Sequence, residues 1–209
     1  METKFTEQQS LGLISEMITQ ARNNLQKNSG TSMIFNGYLV AFTALANVAL
    51  NFILSNPRQS FWIWLLMIPG AFIDRMIDKK IDKEAIVKTH IDRIIAATWR
   101  GFGNSIVLFL IIIFGYGYSM QNYRIFILIT PIIMMMAGLG EYITAKACRF
   151  KPFLYGAFVM WAGALGCLGT YIFLHRWSEI THFLILAICM ILAFVVPGYK
   201  LNKSAKQDV

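Results

Sequence analysis

The chain has 209 residues, 56% of them hydrophobic, and a formal net charge of +8. A mean hydropathy of +0.54 argues against a soluble domain, and the length leaves room for one membrane bundle without a second globular domain. The lysines and arginines follow the connectors between apolar runs and not one soluble face. That distribution argues against nucleic acid and for anionic lipid heads, at about 1 kcal/mol per basic residue near the surface.

In chain order, the first thirty residues carry no short apolar core or cleavage site, so the first span is expected to act as its own insertion signal. Leu11, Ile14, Ile18, Ala21 and Leu25 recur at three- and four-residue steps, with Met17 beside them. This is the stripe of an amphipathic helix, expected to lie in the cytoplasmic interface or dock under the bundle. Thr6-Glu7-Gln8-Gln9 reads as its capping box, and Ser29-Gly30-Thr31 as its end.

Six apolar runs follow: Met33–Leu54, Phe61–Ile77, Asn104–Met120, Ile125–Ala145, Phe153–Leu174 and Ile180–Tyr199. A span needs about 20 apolar residues, with about 17 as the lower limit. Sixteen of the 19 lysines and arginines fall in the N-terminal tail, the connectors after spans two and four, and the C-terminal tail. The other connectors hold only Arg58, Arg124 and Arg176. This alternation predicts both termini in the cytoplasm.

Between spans two and three, Ile86, Val87, Ile91, Ile94, Ile95 and Thr98 form the apolar side of a second amphipathic helix. Glu84 and Lys88 form a favourable i,i+4 pair on it. The helix is expected to run on into span three, with a bend at Gly101 and Gly103. Trp62, Trp64, Tyr116, Tyr118, Tyr123, Tyr171 and Trp177 read as an outer aromatic belt, and Trp99 as its inner counterpart. Pro131 is expected to kink span four, and Pro197-Gly198 to end span six.

The expected fold is thus all-α: an integral membrane bundle of six transmembrane helices with two cytoplasmic amphipathic helices. Residues 1–32 form the N-terminal interfacial helix, 33–199 the transmembrane domain and 200–209 a short basic tail.

Polar groups inside the spans are the candidate site. Asn36, Thr43, Asn47 and Asn51 are spaced by seven, four and four residues, which places them within roughly 80° of one helix face. A carboxamide facing lipid leaves hydrogen-bonding groups unsatisfied. The face therefore points into the bundle as interhelical glue, lines a path for a solute or ion, or meets another copy in an oligomer. Asn104 and Thr130 are its candidate polar partners. Glu141 is the one carboxylate well inside a span. Such a group reads as a functional site by default, against the alternative of snorkelling or pairing with Lys146 or Arg149. Asp74 and Arg75 are helix neighbours that do not face each other, so each is expected to pair elsewhere, with Asp78 and Arg93 as the candidate cross-partners. Gly156, Gly163 and Thr170 share a face of span five that reads as close helix packing.

Metal and cofactor signals are weak. Glu179 and His182 form a lone ExxH, and Cys148, Cys167 and Cys189 lack any ligand spacing. No HExxH, GxSxG or phosphate-cradling glycine loop is present, so neither a cofactor nor catalysis is expected.

Three stretches carry a resemblance: Lys146-Ala-Cys-Arg-Phe-Lys-Pro152 with the Leu-Tyr-Gly156 that follows, Val-Val-Pro-Gly-Tyr-Lys200 at the end of span six, and the N-terminal Ser10-Leu-Gly-Leu-Ile-Ser-Glu-Met-Ile. Together they resemble a family of small polytopic inner-membrane proteins of Bacteroidota that has no assigned activity. The resemblance implies a bacterial inner-membrane location. For function, six spans with very short outer connectors favour a small channel or transporter for an ion or polar solute. A non-transporting adaptor, sensor or regulatory subunit is the alternative, its protein partner unspecified.

Overall fold

The computed structural model describes residues 7–54, 56–84, 90–173 and 178–207. Among the described residues the chain is all-helical, with six helical segments long and apolar enough to cross a membrane: Gly30–Ile53, Gln59–Ile81, His90–Ser119, Tyr123–Cys148, Lys151–Phe173 and Glu179–Lys203. These match the six apolar runs. Helices satisfy their own backbone hydrogen bonds, which lipid cannot do for them.

Helix α1 spans Glu7–Ile53 without interruption. The expected end at Ser29-Gly30-Thr31 is not there. Gly30 is instead a crossing point: a Cβ on it would meet the Asn202 side chain and the Gly198 carbonyl. The glycine that resembles a helix stop lets two helices touch. The side chains of the N-terminal stripe, Thr6 of the capping box, the Glu84–Lys88 pair and Trp177 lie outside the described residues.

A 3₁₀ segment, Pro57–Leu66, leads into α2, Met67–Glu84. Helix α3, His90–Ser119, is one element through Gly101 and Gly103. Both glycines face open space, and the helix is unbroken at them. A second 3₁₀ segment, Tyr123–Leu128, precedes α4, Ile129–Cys148. Helix α5 spans Lys151–Phe173. Span six is composite: α6, Ser178–Met190, a π turn, Ile191–Val195, and α7, Val196–Gln207. Pro197-Gly198 therefore does not end span six; the helix passes through both.

The prolines explain where helix type changes. All five lie within the first three residues of a helical element: Pro57, Pro69, Pro131, Pro152 and Pro197. Proline is tolerated there because the missing N–H has little or no role in the first turn. Pro131 accordingly does not kink the middle of a helix. It sits where the 3₁₀ segment becomes α4.

Helix α1 packs on α2, α6, the π turn and α7; α5 lies against α6, the π turn and, most extensively, α4; α3 packs on α4. From neighbour to neighbour the spans run two, one, six, five, four, three. Spans two and three are therefore sequence neighbours on opposite flanks. Span six is the centre, with 56% of its apolar window buried against 11% for spans two and three. Its core residues Phe183, Leu186, Met190, Ala193 and Phe194 pack with Met134, Phe153 and Met160.

Aromatic contacts tie the flanking spans to that centre. Trp64 lies 5.6 Å from Phe183, and Trp99 lies 5.6 Å from Phe194. Trp99, half-buried, also packs over Gly140. Trp62, Tyr116, Tyr118 and Tyr123 are exposed, as belt residues are.

Candidate functional site

Two sets of polar groups sit inside the bundle, and they are treated differently. On α1 every residue of the polar face has a hydrogen bond. Asn36 donates to the Ser32 carbonyl at 3.1 Å and Thr43 to the Leu39 carbonyl at 2.8 Å, both within the helix. Asn51 donates to the carbonyl and the side-chain oxygen of Asn47, each at 2.9 Å. Asn47, fully buried, donates across to the Ser60 carbonyl at 3.0 Å. Ser60 lies in the 3₁₀ segment of span two, where backbone hydrogen bonding is poorer than in an α-helix. The Asn51–Asn47–Ser60 chain fastens that irregular stretch to α1. Neither candidate partner takes part in these bonds: Asn104 is exposed on α3, and Thr130 is buried at the start of α4. Asp74 accepts from Ser32 Oγ at 2.5 Å, so α1 supplies its partner.

Glu141 is the contrast. It is fully buried, yet neither carboxyl oxygen has a hydrogen-bond partner. The pairings with Lys146 or Arg149 do not form. Lys146 is exposed, its ammonium 5.4 Å from the Tyr142 ring centroid. Glu141 lies about two turns from the end of α4, roughly 10 Å along the axis, and points inward.

Three elements build the notch that holds this carboxyl. Gly156 of α5 provides the floor: a Cβ there would meet Glu141 Oε2 and the Ala193 carbonyl oxygen. Gly138, one turn before Glu141, is covered by Trp161 and the Ala157 carbonyl, so α4 and α5 approach closely enough for the carboxyl to reach across. Ala193 belongs to the π turn. In a regular α-helix its carbonyl would accept from the N–H four residues on, but that residue is Pro197, which has none. Val196 N–H reaches back to Ile191, the five-residue step of a π turn. Proline thus removes the usual donor from a carbonyl that faces the same glycine as Glu141.

The remaining candidates have structural roles. Gly163 is closed over by Met134 and Cys189, as the small-residue face of span five predicts. Thr170 bonds the Cys167 carbonyl. His182 is buried, its Nε2 2.8 Å from the Cys167 carbonyl, with the Ile127 backbone also bonded to the ring. Pro131 withholds the N–H that Ile127 would receive in an α-helix. A neutral imidazole has one N–H to donate, and the 2.8 Å contact of Nε2 with the Cys167 carbonyl fastens span six to span five. Sequence reasoning reached this residue only as half of an ExxH; the useful signal was Pro131, four residues after Ile127. Asn202 Oδ1 is a further buried oxygen without a partner, at the α1–α7 crossing.

The six spans, the internally bonded polar face and the enclosed carboxyl are those of a multi-pass α-helical membrane protein. Comparison with protein-family models, curated protein sequences and solved structures gives no match in any of the three.

Proposed function

We propose that this protein is a small transporter or channel for an ion in a bacterial inner membrane, with Glu141 as the group that meets the ion. The observation that carries this reading is the carboxyl itself, fully buried with both oxygens unpartnered. Burying an ionised carboxylate without a counter-charge is expensive, so a group kept in this state needs an exchangeable proton or cation to offset it. The polar face of α1 moves from pathway to scaffold, because its hydrogen bonds close on the chain itself. The charge alternation supports cytoplasmic termini, and the family resemblance supports the inner membrane.

The test is flux through the purified protein in sealed proteoliposomes, with wild type and Glu141→Gln compared under proton, sodium and potassium gradients. Wild type is expected to dissipate at least one gradient, and Glu141→Gln to do so at least about tenfold more slowly. Equal flux in both, or none in either, removes the transport reading. The adaptor reading then takes its place. One observation favours it: the asparagine face has spent its polar groups on internal bonds, leaving Glu141 alone for a solute.

A further inference from the structure

Glu141 can be taken further by asking which ion its notch fits. A metal ion in the protein interior takes several oxygens, six or more for calcium and six for magnesium. The notch brings together one carboxyl and one carbonyl, those of Glu141 and Ala193. The Thr144 hydroxyl, which donates to the Gly140 carbonyl at 2.8 Å, keeps its lone pairs and adds at most one more oxygen, still fewer in all than either metal takes. Among the described residues no group of three or more histidine, cysteine or acidic side chains could hold a metal. A proton needs only one oxygen to carry it and one to accept it.

The charged and titratable groups of the surrounding elements are engaged elsewhere or face away. On α4, Lys146 lies by Tyr142, and Arg149 is exposed. On α3, Asp92 acts on Cys148, and Arg93 and Arg100 are exposed. On α5, Lys151 and Tyr155 are exposed. On span six, Cys189 donates to the Val159 carbonyl, and Tyr199 and Lys200 are exposed. Among the described residues no charged side chain acts on Glu141.

We infer that Glu141 is a proton-exchange site, in which the carboxyl takes one proton from water, donates the resulting O–H to the Ala193 carbonyl, and returns the proton to water when the π turn opens. The inference rests on the reading of Glu141 as the ion-meeting group and names its ion. The step is balanced: hydronium and carboxylate become water and carboxylic acid, and the reverse step restores them. The acid form supplies a donor beside a carboxyl that has no partner and a carbonyl whose α-helical donor position is Pro197. The π turn is also where the backbone bonding of span six is least regular, so local opening there exposes this carboxyl first.

A hydrophobic carbodiimide tests the ion directly. The O–H of a protonated carboxyl adds across the reagent, and the adduct rearranges to a stable acylurea of the same mass, with nothing lost. Wild type in native membranes should gain one reagent mass on the peptide carrying Glu141. The rate should fall at least about tenfold between about pH 6 and about pH 10. Sodium and potassium should leave it unchanged, and Glu141→Gln should show no adduct there. Protection by sodium or potassium would overturn the inference in favour of a metal-cation site while leaving the transport reading intact. If no adduct forms, infrared difference spectra of wild type against Glu141→Gln decide the matter. A carboxylic-acid band that shifts in heavy water upholds exchange; a missing or unshifted band ends it. Failure of flux with intact exchange removes the transport reading alone.

Discussion

Asn47 and Glu141 are both fully buried, in the same bundle, and they differ in what surrounds them. Asn47 stands opposite a 3₁₀ backbone short of good donors and gives it one, while Asn51 completes its own oxygen. Glu141 stands opposite a glycine and a carbonyl whose usual donor is a proline, and it offers that carbonyl an acceptor. A buried polar group with a complementary partner is fastening; one facing a group of its own kind needs a proton or an ion between them.

Substitutions should separate the two regions, and the largest effect belongs to the notch floor. Gly156→Ala places a Cβ against the Ala193 backbone carbonyl, which cannot rotate away as a side chain can. A loss of about 1–3 kcal/mol is expected from such overpacking, read as a lower midpoint in mild-detergent to dodecyl-sulfate titration. An unchanged midpoint would mean that α5 and span six are not in contact there. Next comes the fastening. Asn47→Leu removes the bond to Ser60 and should lose about 1–2 kcal/mol in the same titration. Asn51→Leu should lose less, because its bonds stay within α1. Were Asn51→Leu the more damaging of the two, the cross-helix bond would not be the important one.

Glu141→Leu should move stability the other way. Replacing an unpartnered buried polar group by an apolar one of similar size is expected to leave the midpoint unchanged or raise it by up to about 1 kcal/mol. A clear drop would show that the O–H bond of the acid form to the Ala193 carbonyl outweighs the cost of burying the carboxyl. The smallest effect is expected on the lipid-facing side of α3, where Gly101 and Gly103 meet nothing. Alanine at either position should be neutral or stabilising by up to about 0.5 kcal/mol. Destabilisation would show that the glycines are needed for the shape of α3, as a bend there requires.

The membrane class was legible because it depends on one-dimensional quantities. Hydropathy over a window placed all six helical runs, and the sector occupied by Asn36, Thr43, Asn47 and Asn51 correctly demanded an inward face. Partners were not legible, because they depend on which helix lies opposite. Ser60 carries no mark in the sequence as the acceptor for Asn47, and Glu141 is close enough in sequence to Lys146 and Arg149 to suggest pairs that the fold does not make. Gly30 and Pro197-Gly198 were read as stops by the rules of soluble helices. Inside a membrane bundle the same residues are crossing points and changes of helix type, where a neighbouring helix supplies what the backbone loses.

The central position of span six has a consequence for biogenesis. A membrane protein is made from its N-terminus, so the span that is most deeply buried is the last of the six to arrive. Asn47 can find Ser60 as soon as the second span is in place. The notch at Gly156, and the surfaces of α1 at Gly30 and Gly37 that Gly198 and Val195 later cover, must wait. A five-span nascent form would hold Glu141 beside an open cleft without Ala193, and insertion of the final helix would both close the bundle and complete the site.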